Sequence, residues 1–216
     1  MPFERLPGNF VYWFNIESEK HEKIKQMLLP KIELEESEAS ETTTNYFPLG
    51  SDAFTNYSKR PPYMLDNFIT NTIVWDPVDD MIKRNNETDN YQISIDKSKI
   101  VEHWFTSYKV GDFFERHHHK GFPTIPSGEN EYYYPTFSFI YILQDDNQKN
   151  STTFIDTKAY MLSPHVETSI HTSDICDIKE GTVMIFPVHL IHAVKKNVKG
   201  KRITLAYNIA STFKNP

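Results

Sequence analysis

The chain has 216 residues, a net charge of −6 and a pI near 5.8, and this acidic balance argues against nucleic acid as its main partner. Hydrophobic residues make up 38% and aromatics 14%, enough large apolar surface for a sizeable core, which excludes a wholly disordered chain. The single cysteine, Cys176, excludes an internal disulfide framework and fits a reducing compartment.

The length predicts one domain, or one with an appendage. The opening residues, "MPFERLPGNFVYWF", carry charges and prolines where a signal peptide needs an apolar run. No stretch approaches the ~20 apolar residues of a membrane span. A cytoplasmic protein without a membrane partner is expected, in the host cytoplasm if its source is viral.

Residues 10–14, "FVYWF", read as a short buried strand. From Ser18 to Leu29 an apolar stripe of Ile24, Met27 and Leu28 predicts a helix, with Ser18 as N-cap and Pro30 as its stop. The acidic run "ELEESEASETTT" reads as an exposed loop or frayed helix. Residues 45–66, rich in proline and tyrosine, read as irregular but packed. "DNFITNTIVW" is mixed in signal, and "PVDDMIKRNNETDN" predicts a short helix and a polar turn.

From about residue 99 the texture changes. Short alternating runs are separated by turn signals: "KIVEHWFTSYKVG", "DFFERHHH", "PTFSFIYIL", "NSTTFID", "AYMLS", "GTVMIFP", "HAVKKN" and "RITLAYNIA". Such spacing predicts a β-sandwich or β-barrel. The expected organisation is an N-terminal helical and loop support, 1–98, packed on a β-rich core, 99–216, as one compact unit.

The stretch "GDFFERHHHKG" carries the chemistry. On a strand, His117 and His119 share one face and His118 points to the other. Two imidazoles at i and i+2 can share a metal ion, and imidazole suits Fe, Zn, Cu and Ni. His192, after the apolar run ending at Pro187, is the best third ligand. In "RITLAYN", Arg202, Thr204 and Ala206 share a face, and a guanidinium fork beside a hydroxyl receives a carboxylate. A solvated basic turn is the plain alternative for Arg202, because "KKNVKGKR" is a charge run. His21, His103, His165 and His171 read as ordinary polar residues.

The stretch from about Trp104 to Ile209 resembles the double-stranded β-helix core of the Fe(II)/2-oxoglutarate-dependent oxygenases, in particular their prolyl-hydroxylase-like branch. "YKVGDFFERHHH" is similar to the branch's Tyr-x-x-Gly followed by a first metal histidine, which points to Tyr108, Gly111 and His117. "FSFIYILQDDNQKNSTTF" resembles its Tyr-Leu strand, polar turn and Thr-x-Phe, giving Thr152 and Phe154, with Lys149 and Asn150 where the family has glycines. "IKEGTVMIFPVHLIHAV" supplies Gly181, Phe186 and His192, and "GKRITLAYNI" supplies Arg202, with Thr204 assisting. The resemblance implies a mainly β, jelly-roll, cupin-like fold with flanking N-terminal helices. It also implies an iron held by His117, His119 and His192. Further implications are 2-oxoglutarate docked on Arg202, Thr204 and Tyr108, O₂ as cosubstrate and ascorbate as auxiliary reductant.

The implied activity is a dioxygenase that hydroxylates a C–H bond of a protein (prolyl-type) or small-molecule substrate, releasing succinate and CO₂. The family usually carries His-x-Asp or His-x-Glu, whereas His119 stands here in the carboxylate position. Some phage and bacterial members of the branch look similar in having His-x-His. Either three histidines hold the metal, or a loop carboxylate, Glu129, Glu131 or Asp156, completes the set. Ile142 stands where some relatives place a carboxylate-binding tyrosine. The same stretches also resemble the cupin signature, so a cupin-type metalloenzyme without 2-oxoglutarate is an alternative, as is a non-catalytic binding module on the same barrel.

Overall fold

Period-two alternation in the strands separates a helix-facing core from a barrel interior. The computed structural model describes residues 3–6, 9–38, 53–56, 60–88, 95–119, 124–126, 132–146, 152–156, 168–175 and 177–213. In chain order the strands are β1 (Phe3–Leu6), β2 (Asn9–Asn15), β3 (Phe54–Thr55), β4 (Ile95–Tyr108), β5 (Phe114–His117), β6 (Ile125–Pro126), β7 (Tyr132–Asp145), β8 (Thr152–Asp156), β9 (Thr168–His171), β10 (Thr182–Pro187), β11 (Ile191–Val194) and β12 (Arg202–Phe213). The helices are α1 (Ser18–Glu38), α2 (Asn67–Thr70) and α3 (Asp76–Thr88), with a π-helical turn over Asn71–Trp75 joining the last two.

The strands form two antiparallel sheets, the two layers of a jelly roll. The larger runs β1-β2-β10-β7-β12-β4-β3, with β6 added on β7, and the smaller runs β5-β11-β8-β9. In β12, Ile203, Leu205, Tyr207 and Ile209 join a buried cluster with Ile24, Leu28 and Ile32 of α1 and Val78 and Met81 of α3. In β7, Ile140 and Ile142 join the other cluster, with Phe154 of the small sheet and with Met184, Phe186 and Leu190. Both faces of the large sheet are thus covered, one by helices and one by the small sheet. The alternate residues of β12, from Arg202 to Asn208, line a cavity between the sheets.

The strands expected over 10–14 and from residue 99 onward are present, except that "AYMLS" lies outside the described residues. β1, β3, β6 and β9 were not anticipated. Residue 98 falls inside β4, and β2 pairs with β10, so N-terminal residues add strands to the large sheet as well as helices to its face. Among the described residues, no helix is long and apolar enough to cross a membrane.

Two expectations about helices are corrected. Pro30 does not stop α1, which runs on to Glu38. Proline removes one i→i−4 bond, but Leu28 and Ile32, both fully buried, anchor the helix on either side of it. "DNFITNTIVW" is helical. Asp66 caps it, its carboxylate accepting from the amides of Phe68 and Ile69 at 2.8 and 3.4 Å. The β-branched content obscured a helical stripe of Ile69, Ile73 and Val74 that continues into Val78 and Met81.

Two turns deliver the site strands. Gly111 has φ +103°, and its amide donates to the Asn197 carbonyl at 2.8 Å, tying the β4–β5 turn to the segment after β11. Gly200 has φ +60°, and a Cβ there would fall 2.4 Å from Asp146 Cβ, so glycine alone fits. Asp146 clamps the next residue, its carboxylate accepting from Lys201 N at 2.8 Å and its own amide donating to Lys201 O at 3.0 Å. Arg202 therefore enters β12 from a fixed turn.

Candidate metal and cosubstrate site

The small sheet places two of the three histidines. His117 and His192 are cross-strand partners in the β5–β11 pair, with ring centroids 4.1 Å apart. His119 lies two residues past the end of β5. It is held by its own amide, which donates to the Val188 carbonyl at 3.0 Å, and by Trp104, whose ring meets it edge-on at 5.2 Å. The ligand atoms of His117, His119 and His192 lie within 4.8 Å of one another. The shared face expected from strand alternation is reached differently: β5 ends at His117, and a backbone anchor rather than the pleat presents His119. His118 is exposed, as expected, but it lines the mouth of the cavity rather than standing apart from it.

The hydrogen bonds fix which nitrogen each ring offers. Nδ1 of His117 lies 2.8 Å from the Glu115 carbonyl, and Nδ1 of His192 lies 3.1 Å from the Leu190 carbonyl. A carbonyl only accepts, so each Nδ1 carries the proton and Nε2 carries the lone pair. His119 Nδ1 lies 3.0 Å from both Ser138 Oγ and Asn208 Oδ1. Burial pushes the pKa of His117 from 6.5 down to about 4 and that of His119 to about 3, and it drives His192 well down too; mutual repulsion among the imidazoles adds to the last two shifts. Three neutral imidazoles with convergent Nε2 atoms fit a divalent first-row ion such as Fe(II).

Depressed histidines couple the fold to pH. Between about pH 6.5 and about 4 the unfolded chain binds protons that folded His117 resists, so stability falls as pH falls through that window. The metal-free protein is expected to show a falling urea midpoint over that interval. The slope should flatten when His117 and His192 are both replaced by glutamine, and an unchanged slope would count against this origin.

The other end of the cavity is cationic. Arg202 and Tyr108 are cross-strand partners, 1% and 4% exposed, with the guanidinium carbon 5.5 Å from the ring centre. Arg202 Nη2 donates to Thr152 Oγ1 at 3.0 Å. Burial lowers the Arg202 pKa and raises that of Tyr108, while Arg202 and a hydrogen bond with Thr204 pull the phenol back. A buried guanidinium facing a cavity is offset by an anion placed against its planar fork. The cavity, about 230 Å³, is lined by Arg202, Thr204 and Tyr108 at one end and by the three histidines at the other. Ile142 pairs with Thr204 but packs in the apolar cluster between the sheets.

Glu129 and Glu131 lie outside the described residues, as does the side chain of Asp156, whose backbone pairs with Thr168 in β8–β9. Among the described residues no carboxylate joins the three histidines. Lys201, in the charge run before Arg202, is paired with Glu36 at 2.5 Å. A second cluster of His21, Glu22 and Glu180 is occupied by the protein itself. His21 Nδ1 lies 2.5 Å from the Tyr141 hydroxyl and Nε2 3.2 Å from Glu180, which also binds Lys25 at 2.6 Å.

Sequence reasoning missed Asn208, Ser138, Glu102 and Trp104. Asn208 had a legible signal: it continues the every-second-residue series of Arg202, Thr204 and Ala206. Glu102 and Trp104 follow from Tyr108 by the same period along β4, and register sets Asn208 opposite Glu102 and Ser138.

The described residues form a jelly-roll barrel with three clustered histidines and a buried arginine. The solved structures the chain resembles share that fold. It aligns with the non-heme α-ketoglutarate-dependent epimerase SnoN of nogalamycin biosynthesis at TM-score 0.56 and 9% identity, over 92% of this chain and 76% of that one. The carbocyclase SnoK of the same biosynthesis aligns at TM-score 0.56 and 8% identity, over 94% and 81%. HygX from Streptomyces hygroscopicus, solved with nickel and 2-oxoglutarate bound, aligns at TM-score 0.50 and 11% identity, over 93% and 82%. No protein-family model and no curated protein sequence matches the chain.

Proposed function

We propose that the protein is an Fe(II)- and 2-oxoglutarate-dependent dioxygenase that hydroxylates a C–H bond of a protein (prolyl-type) or small-molecule substrate. The observation that carries this reading is one cavity with two unlike ends: three neutral imidazoles at one, a buried guanidinium at the other. A metal chelator that is also a dicarboxylate matches both ends at once. Iron and 2-oxoglutarate, when bound, would supply oxidative decarboxylation by O₂, one oxygen atom going to succinate as CO₂ leaves and the other going to the substrate C–H bond as a hydroxyl.

The chain's own residues do the rest. His117, His119 and His192 offer Nε2 to the metal, with their tautomers set by Nδ1 partners. Arg202 would receive the far carboxylate on its planar fork, with hydroxyl donors added by Tyr108 at the same rung of the sheet and by Thr204 two residues along β12. Tyr108 thereby supplies the phenol that is missing at Ile142. Phe154 and Phe186, stacked edge-on at 4.8 Å beside His192, close the interior to bulk water. Trp104 and His118 stand at the open end, where substrate would approach.

The test is a thermal-shift and turnover experiment with Mn(II) or Fe(II) and with 2-oxoglutarate or its inert analogue N-oxalylglycine. The expected result is a shift with N-oxalylglycine that requires metal, and succinate formation that requires iron. Metal binding without either effect selects the cupin-type reading. Absence of metal binding selects a binding module.

A further inference from the structure

The cavity wall beyond His119 holds a polar chain that the proposed chemistry does not use. Asn208 is fully buried, and Glu102 is 7% exposed. Glu102 Oε1 accepts from Arg60 at 3.0 Å, and its Oε2 accepts from Asn208 Nδ2 at 2.8 Å. A carboxylate paired with a guanidinium can only accept, so the amide NH₂ of Asn208 must face it. Asn208 Oδ1 then faces the opposite way. There it accepts from Ser138 Oγ at 2.7 Å and lies 3.0 Å from His119 Nδ1. His119 Nδ1 must therefore carry its proton, and Nε2 must carry the lone pair. The orientation of Glu102 decides, through one amide, which nitrogen of His119 is offered to the cavity.

This matters because His119 is the one of the three rings without a backbone carbonyl at Nδ1. His117 and His192 are set by the main chain, two residues upstream in each case. His119 also stands outside the strand. Its tautomer is set by side chains alone, and that set leads through Asn208 to an acid.

We infer that Glu102 is a positioning residue of the metal site, acting through Asn208 to fix the His119 tautomer and to orient the amide that stands in the second coordination sphere of a site whose three histidines are neutral. The inference rests on the proposed metal site. A hydrogen-bonded acid behind a ligating imidazole makes that imidazole a stronger donor. Here the acid acts across an amide rather than directly, and the amide's dipole carries the polarisation.

The experiment titrates Co(II) into the full chain by calorimetry and records the visible Co(II) spectrum, which reports ligand-field strength independently of turnover. Wild type, His192→Ala, Glu102→Gln, Glu102→Ala, Asn208→Leu and Arg60→Met are compared, each checked for an intact thermal transition. Glu102→Ala and Asn208→Leu are expected to weaken Co(II) binding by roughly 10–100-fold, the range of second-sphere losses, with a shifted visible band. Glu102→Gln keeps an acceptor for Asn208 and should fall between them and wild type. Arg60→Met removes the cation that keeps Glu102 an acceptor and should move the affinity and the band in the same direction as Glu102→Gln. Wild-type affinity and spectrum in both Glu102→Ala and Asn208→Leu would overturn the inference while leaving the metal site standing. Wild-type protein without Co(II) binding that His192→Ala abolishes would instead overturn the metal site, and this inference with it.

Discussion

His192→Ala is expected to weaken divalent-metal binding by more than about 10²-fold, beyond the range of second-sphere substitutions, and to abolish succinate formation in parallel. His192 is 1% exposed and sits directly across from His117 in the β5–β11 pair, at the closed end of the histidine cluster. Among the described residues no other donor joins the cluster, and Phe154 and Phe186 pack against the His192 ring while Leu190 fixes its Nδ1. The contrast is His118→Ala. His118 is adjacent in sequence to two proposed ligands but exposed, so the metal affinity should stay at the wild-type value. Calorimetry with Mn(II) measures both. If His118→Ala lost the metal and His192→Ala kept it, the assignment of the triad would be wrong. The pair of variants also separates ligation from stability, since His192→Ala removes a buried imidazole that already resists protonation and thereby relieves part of the acid sensitivity.

The barrel was legible because its strands alternate cleanly. "RITLAYN" carries Ile, Leu and Tyr to the helices and Arg, Thr and Ala to the cavity, and the structure keeps that division. The clustering of His117, His119 and His192 was expected from spacing and resemblance, but the means of presenting His119 was not. Strand period said that His119 continues β5, whereas β5 ends two residues earlier and a bond to Val188 takes over. Local pattern does not contain that bond, because its partner is some seventy residues away (Val188 to His119). The helix over "PVDDMIKRNNET" was expected, but the helical turns before it, across residues 67–75, were hidden for a different reason. Their apolar face is built from Ile, Val and Thr, whose propensities point to strand, and burial against the sheet overrides them. Strands of two residues, such as β3 and β6, carry no periodicity at all. Asn208 and Glu102 lie on the same alternating faces as Arg202 and Tyr108, but a lone Asn and a lone Glu signal nothing until register sets them opposite each other.

Arg202→Met is expected to raise the 2-oxoglutarate concentration needed for half-maximal turnover by roughly 10²–10³-fold. Truncating one partner of a buried, hydrogen-bonded charge pair costs about 3–5 kcal/mol, and each 1.4 kcal/mol is tenfold. Methionine keeps much of the arginine stem against Tyr108, so packing is retained while the fork is lost. Arg202→Lys keeps the charge but not the planar fork, and should lie between. Thr204→Val removes one hydroxyl, a change worth about 0.5–1.5 kcal/mol, and should cost no more than roughly tenfold. Metal affinity without cosubstrate should be unchanged in all three, because Arg202 and Thr204 do not contact the histidines. The maximal rate should fall less than the cosubstrate affinity, since in the proposed binding mode the guanidinium would hold the end of the dicarboxylate remote from the reacting carbon. Stability should fall as well, because buried Asp145, the cross-strand partner that favours the Arg202 cation against its burial, loses that neighbouring charge in Arg202→Met. The measurements are steady-state decarboxylation against 2-oxoglutarate concentration and the metal-dependent thermal shift with N-oxalylglycine. An unchanged requirement in Arg202→Met would mean that the anion site at the foot of the barrel serves something other than the cosubstrate. The two ends of the cavity would then belong to different ligands.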